Sequence, residues 1–387
     1  MTLRPGEETC DVLIAGGGPA GVAAALTLLR QGASVLIAEP GRARRGWKLG
    51  ESLSPQAGPL LEGLGVLDRV THAPHTPCFG NQSAWGGSTL TDTDFLRDPH
   101  GPGRHLDRTR FDSALLDAAR EAGARHRACP ARAPRRLPGH WSITLGGETI
   151  RARYLIDATG ANAGLARRVG ATLRRDDRLV ALAARLPPPQ RSCHSSPRAS
   201  LVESVPLGWW YTAPLPSGAA LAMVMTDADV AAGHSLHEPD VWWRELMATA
   251  HVRARLHPRT TNPPARLRIA RASTSRTCPA AGPGWAAVGD AATACDPIAA
   301  RGITTALATG LTAAEAVTAD AAGDAHALSG YAERIEAIHT EFVRARALCY
   351  SAEERWHTSF WTRRRQPPPG DTRSDASDGT APGAVFG

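Results

Sequence analysis

Two glycine-rich segments, one near the start of the chain and one near its end, constrain this fold more than any other feature. The first, Gly16-Gly17-Gly18-Pro19-Ala20-Gly21, follows the apolar run Val12-Leu13-Ile14-Ala15. That order encodes a strand, a tight turn and a helix start whose free N–H groups face a bound phosphate. Gly16 allows the turn, Gly18 lets the backbone approach a pyrophosphate, and Gly21 lets helix and strand pack closely. A small-residue helix is expected from Gly21 to Arg30, with Val22, Ala25, Leu26 and Leu29 at helical spacing and Gly32 closing it. Ser34-Val35-Leu36-Ile37-Ala38 reads as a second buried strand ending at Glu39, where a ribose hydroxyl needs an acceptor. Gly16, Gly18, Pro19, Ala20, Gly21 and Glu39 are therefore candidate dinucleotide-binding residues. The second segment, Gly289-Asp290-Ala291-Ala292 with Asp296-Pro297 and Arg301-Gly302-Ile303, reads as the other half of the same site. A transmembrane reading of residues 12–29 fails on its glycines, its proline and the flanking Asp11.

Bulk properties exclude several classes. The formal net charge is +7, yet Lys48 is the only lysine, so the basic excess is arginine. No block of Lys/Arg is interleaved with aromatics, which argues against nucleic-acid binding. A basic surface remains able to attract an acidic peptide or a nicotinamide phosphate. The 7 cysteines are scattered, with no C-x-x-C and no metal-ligand spacing, so no metal is expected and the thiols read as reduced. The polar stretch Met1 to Cys10 predicts no signal peptide, hence a cytoplasmic protein with no membrane association.

The remaining pattern predicts an α/β fold, a Rossmann-type nucleotide domain interleaved with an antiparallel β-sheet substrate domain, plus a C-terminal helix. Segments 1–78, 100–178 and 270–325 are assigned to the first domain, and 79–99 with 179–269 to the second. Residues 105–123 read as a helix, and Trp141–Leu145 with 148–156 as a hairpin running into a strand that ends at Asp157-Ala158-Thr159-Gly160. The Arg/Pro-rich stretches 128–138 and 186–198 read as surface loops. Two strands, Ala199–Val205 and 219–226, are expected to flank Trp209-Trp210-Tyr211. Residues 326–365 form the C-terminal helical segment, a stripe of Tyr331, Ile335, Ile338, Phe342 and Leu348 marking its apolar face. The Pro/Gly/Ser/Asp-rich tail 366–387 reads as disordered.

With these motifs the chain resembles the flavin-dependent halogenase and aromatic hydroxylase superfamily, whose FAD domain is of the p-hydroxybenzoate hydroxylase type. The resemblance covers residues 10–320. It implies FAD as cofactor, Asp290 (with Gly289 before it) on the ribityl chain, and Asp296, Pro297, Gly302 and Ile303 bringing N–H groups and a helix start toward the flavin ring, where a reduced anion needs positive potential. Arg108 matches a helix-start residue that touches FAD. Gly50-Glu51-Ser52-Leu53 matches the loop beside the flavin. Gly208-Trp209-Trp210-Tyr211-Thr212-Ala213-Pro214 matches the G-W-x-W-x-I-P motif, with Tyr211 in place of the second Trp and Ala213 in place of Ile. Core packing is the plain alternative for these aromatics.

The halogenases of this superfamily use a lysine downstream of the flavin loop, and no lysine follows Lys48. Arginine does not give up its proton and cannot replace it, so halogenation is disfavoured. Residues 80–86, 94–108, 208–211 and 226–229 look like the maturation flavoproteins of tryptophylquinone enzymes, although Arg104 stands where a Trp is expected. The resemblance then implies a monooxygenase that hydroxylates an electron-rich aromatic ring, an indole or tryptophan, free or in a peptide or protein, through a C4a-hydroperoxyflavin. O2 is the co-substrate. NAD(P)H is the reductant, directly or through a partner flavin reductase, since only one dinucleotide motif is visible. Trp209, Trp210, Tyr211 and His105 are the pocket candidates; Glu51 and Lys48 border the flavin as catalytic candidates, and Lys48 is equally a candidate for FAD phosphate. His75 and His100 lie in segments expected near the pocket. Two other readings stay open: a flavin oxidase or dehydrogenase of a natural-product intermediate, and a flavin-binding assembly factor without turnover.

Overall fold

The computed structural model describes residues 8–41, 47–188, 198–256 and 262–365. The tail from 366, most of the 186–198 stretch and the first residues of the chain lie outside them. The largest sheet carries a parallel run in the order Trp285–Ala287, Glu148–Asp157, Glu8–Ala15, Val35–Ala38, Arg125–Arg127. Its central strands are apolar on both faces because helices cover both: Val12 to Ala15 and Val35 to Ala38 are all buried. The first helix, Pro19–Arg30, packs on a second, Gly302–Ala321. Small residues permit this: a Cβ on Gly310 would lie 2.2 Å from the Ala20 carbonyl oxygen.

The second layer is a seven-stranded sheet ordered Arg268–Arg271, Leu179–Leu186, Ala220–Asp227, Gly208–Pro214, Ala199–Val205, Gly80–Ala84, Thr91–Asp94. Every pair is antiparallel except Ala199–Val205 with Gly80–Ala84, which is parallel. A small sheet of Ser52–Leu53, Gly103–His105 and Thr76–Cys78 carries Ser52 and His105 side by side.

Three expectations need correction. The Trp209-Trp210-Tyr211 stretch is itself the middle strand of a three-strand meander, not a connection between two strands. The Arg/Pro-rich stretch contains the strand Ala131–Leu137, paired to His140–Leu145; its mostly exposed side chains hide the apolar alternation that would reveal a strand. The C-terminal helix runs Ala327–Ser351 and stops, with a separate helix at Ser359–Arg365. Leu348 is 69% exposed while Cys349 and Tyr350 are buried. Seven residues make about two turns, so Cys349, not Leu348, continues the face of Phe342.

Candidate functional site

The two glycine segments meet. At Gly16, φ is +119 and a Cβ would stand 2.2 Å from the Ala158 carbonyl oxygen; at Gly21 it would stand 2.0 Å from the Gly16 oxygen. These two glycines are demanded by the chain's own packing. Gly18 differs: no protein atom lies within 4 Å of its Cβ position, so its face is open to a ligand. Gly18 caps the following helix with no side-chain acceptor. The Gly17 N–H donates to Glu39 Oε2 at 2.8 Å. One Glu39 oxygen thus fastens the turn, a role beyond the ribose contact expected from sequence.

From the other side, Gly289 donates its N–H to Thr309 Oγ1 at 2.8 Å, and its Cβ position lies 2.8 Å from the Ala20 Cβ. Asp290, Pro297, Arg301 and Gly302 are exposed while Ile303 is buried. Asp290 nevertheless has its carboxyl raised by burial, with the Arg108 charge opposing. Asp290 thus reaches solvent from a densely packed neighbourhood. Asp296 accepts the Ile298 N–H at 3.0 Å and caps the turn Pro297–Ala299 that leads to the Gly302–Ala321 helix.

Arg108 and Lys48 both fasten the 48–50 loop to the Arg108–Glu121 helix. Asp107 caps the Arg108–Glu121 helix, accepting from Thr109 N and Arg110 N. Arg108 donates to the carbonyls of Leu49 and Gly50 at 2.8 and 3.1 Å and to Asp112 Oδ1. Lys48 Nζ meets the other oxygen, Asp112 Oδ2, at 2.6 Å. The buried Asp112 was missed from sequence, although its i+4 spacing from Arg108 was a usable signal.

A second group of side chains begins at Glu51. Its carboxyl is buried and neither oxygen has a hydrogen-bond partner among the described residues. Burial pushes it up to about 7, against the pull of Arg108 and Arg185. Next to it, Ser52 Oγ lies 2.6 Å from the Tyr211 hydroxyl and 3.3 Å from His105 Nδ1. His105 is fully buried, its Nε2 also without a partner among the described residues. Burial, then the Arg255 charge, push its pKa down to about 4, so it is neutral at pH 7. The structure thus brings Glu51, Ser52, His105 and Tyr211 together.

The two tryptophans part. Strand alternation sends Trp210 to the opposite face from Tyr211, edge-on to Trp242 at 4.9 Å, so it is core and not pocket lining. Trp209 shares the face of Tyr211 but is 1% exposed, its Nε1–H donating to the Tyr350 hydroxyl at 2.9 Å. Tyr350 carried no signal in the sequence. His100 sits in an exposed turn; His75 Nδ1 accepts from the Asp107 N–H. Among the described residues, no three His, Cys, Asp or Glu side chains form a metal site, and no helix is long and apolar enough to cross a membrane.

The open face of Gly18, the helix starts at Pro19 and Gly302, and the solvent-reaching Asp290 suit a long dinucleotide with a ring at one end, and the residues present fit FAD. This arrangement, set against the second sheet, defines an FAD-dependent oxidoreductase. A model of the tryptophan halogenase family matches residues 88–378, and one of FAD-binding domains matches residues 11–52. The chain belongs to the tryptophan halogenase family. LodB of Marinomonas mediterranea, described as an FAD-dependent oxidoreductase, is 29% identical over 367 residues, 92% of this chain and 97% of LodB. The tryptophan 2-halogenase of Chondromyces crocatus is 27% identical over 92% of this chain and 70% of its own. Among solved structures, the peptidyl tryptophan dihydroxylase QhpG, essential for tryptophylquinone cofactor biogenesis, superposes with a TM-score of 0.76 at 26% identity, covering 96% of this chain and 82% of QhpG. The myxobacterial chondrochloren halogenase CndH shares the fold with a TM-score of 0.83 at 23% identity, covering 94% and 87%.

Proposed function

We propose that this chain is an FAD-dependent monooxygenase that hydroxylates an electron-rich aromatic ring, an indole or tryptophan side chain carried by a peptide or protein. The observation that carries this reading is the lysine: the chain has one, Lys48, and it is bound to Asp112. An amine in that ion pair is not free to form an adduct with an oxidised halogen. The likeness to QhpG supports an oxygenated tryptophan in a polypeptide.

Bound FAD supplies electron transfer and oxygen activation, with O2 as co-substrate and NAD(P)H as the source of electrons, directly or through a flavin reductase. Gly16, Gly18, Pro19, Ala20, Gly21, Glu39 and Asp290 hold the nucleotide, and Pro297, Gly302 and Ile303 face its ring end. The chain's own residues then manage protons. A carboxyl with a pKa near 7 both takes and returns a proton at working pH. Glu51 is the group that takes the proton an aromatic carbon releases when the hydroxylated ring regains aromaticity. The Tyr211–Ser52–His105 chain orders the side chains beside that carboxyl, and burial with the Arg255 charge keeps His105 neutral.

The family match favours halogenation as the second reading, and one reaction separates the two. Reduced holoenzyme is given a tryptophan-containing peptide, heavy-isotope O2 and bromide. A product carrying the heavy oxygen supports hydroxylation. A brominated product overturns it, and an oxidised product without heavy oxygen points to an oxidase.

A further inference from the structure

The motif Gly208-Trp209-Trp210-Tyr211 does something other than line a pocket. The indole Nε1–H of Trp209 donates to the Tyr350 hydroxyl at 2.9 Å, and Tyr350 donates to Asp296 Oδ2 at 2.8 Å. Asp296 Oδ1 in turn accepts the Ile298 N–H at 3.0 Å. The chain runs from indole to phenol to carboxyl. An indole nitrogen only donates, so the phenol oxygen accepts from it and spends its single proton on the carboxylate. Burial, then the Asp296 charge, raise the Tyr350 phenol well above its usual range, so it keeps that proton. Trp209, Tyr350 and Asp296 are 1%, 0% and 1% exposed, so water does not compete for any of these bonds.

The three residues belong to three regions. Trp209 is on the second sheet, Tyr350 is on the C-terminal helix, and Asp296 caps the turn before the Gly302–Ala321 helix. Two residues along the same strand and on the same face, Tyr211 meets Ser52, beside Glu51. One strand therefore touches both segments that face the cofactor: directly at residue 52, and through Tyr350 at residue 296. The C-terminal helix is held to that sheet independently, by Trp85 Nε1–H donating to the Cys349 carbonyl and by the buried Glu353 accepting from Ser204 and the Gly86 N–H.

We infer that the Gly208–Pro214 strand is a coupling bar. Trp209 and Tyr350 are positioning residues that set the flavin-facing turn at Asp296, so the substrate sheet and the flavin end of the cleft move as one unit. The alternation of the motif follows. Trp209 and Tyr211 point to the cofactor side and carry the coupling, while Trp210 points away and packs the sheet on Trp242. The contiguous hydrogen-bonded path supplies the physical link that such coupling requires. This inference rests on FAD binding by the chain, not on which reaction follows.

The test uses the purified full chain, freed of flavin and titrated with FAD while flavin fluorescence, the visible spectrum of the bound flavin and its midpoint potential are followed. Tyr350→Phe removes the bond to Asp296 at almost constant volume. It is expected to weaken FAD about tenfold, the scale of a lost hydrogen bond to a buried charge, and to shift both the flavin bands and the potential. Trp209→Phe is expected to weaken FAD about threefold, because it acts only through Tyr350. The double variant should be no weaker than Tyr350→Phe alone, the signature of two residues in series. Trp210→Phe, on the other face of the same strand, should lower the melting temperature with flavin affinity, spectrum and potential unchanged. Wild-type affinity, spectrum and potential in a folded Tyr350→Phe, or additive losses in the double variant, would overturn the coupling bar while leaving the flavin reading intact. If Tyr350→Phe does not fold, Trp209→Phe against Trp210→Phe decides alone: equal flavin properties overturn the inference. A wild-type chain that binds no FAD overturns the flavin reading and the inference with it.

Discussion

The glycine-rich turn and the side-chain cluster around Glu51 are built on different principles. The turn is made of backbone. Gly16, Gly18 and Gly21 lie within six residues; Gly16 and Gly21 exclude a side chain by close backbone contact, while Gly18 leaves its face open. The second region is made of side chains drawn from residues 51, 52, 105 and 211, no three of which are neighbours in sequence. A backbone site tolerates almost no change in residue type and little depends on its surroundings. A side-chain site tolerates change at each position but depends on long-range packing to assemble at all. The difference also separates affinity from chemistry. The turn's work is to hold a phosphate with fixed N–H groups, whereas an unpaired carboxyl such as Glu51 can titrate.

Substitutions break this comparison in a definite order. The largest effect belongs to Gly21→Ala. Its methyl group would lie 2.0 Å from the Gly16 oxygen, so strand and helix must separate, at a cost of about 3 kcal/mol. The expected outcome is a sharply lower melting temperature and loss of FAD together, checked by thermal melts with and without FAD. Gly18→Ala, in the same motif, meets no protein atom. It should leave the melting temperature of the flavin-free chain unchanged yet weaken FAD about tenfold through the crowded pyrophosphate. Equal destabilisation by the two would mean that Gly18 serves the fold and not a ligand.

Glu51→Gln tests the other region by pH. The Glu51 carboxyl rises from 4.5 to about 7 in the folded chain. Folded protein therefore holds a proton that the unfolded chain releases between these values. Stability from this group is greatest below about pH 4.5 and is lost as pH rises toward 7. Glutamine removes the penalty, so Glu51→Gln should be more stable than wild type at pH 8, by up to about 3 kcal/mol, with the gain fading toward pH 5. Melts at the two pH values check this, and turnover should fall in the same variant. A gain that does not change with pH would mean that the Glu51 carboxyl is not shifted by folding, and a loss at pH 8 would mean that it is ionised and paired.

The smallest effect is expected for Lys48→Met. Lys48 is 31% exposed, and Asp112 keeps Arg108 as a partner when the lysine is gone. The loss should be about 1 kcal/mol or less, with FAD retained and turnover falling far less than in Glu51→Gln. Retained FAD with abolished turnover would instead make Lys48 catalytic.

Legibility in the sequence followed the same division. The glycine segments, the helix at 108 and the hairpin at 140–157 could be read because turn, cap and apolar period are local signals. That the two glycine segments share one site was read from the two motifs together; that Gly289 packs on Ala20 was not. The resemblance named Glu51, His105 and Tyr211, but not that Ser52 joins the last two. Trp209 and Trp210 look equivalent in a string of letters, and only strand alternation parts them. The tie from Trp209 to Asp296 was invisible, since it passes through Tyr350 on a helix whose buried face had been phased on Leu348. Asp112 was the avoidable omission.

The most direct test of the account is an absorbance spectrum of the purified chain mixed with FAD, then reduced without air by NADH, NADPH or a flavin reductase, and finally given O2 with a tryptophan-containing peptide. The account predicts tightly held flavin with oxidised bands, bleaching on reduction, and recovery in air accompanied by peptide gaining the mass of oxygen. A colourless chain that retains no FAD would contradict it at the root. Flavin that cycles while every peptide keeps its mass would contradict the proposed reaction but not the site.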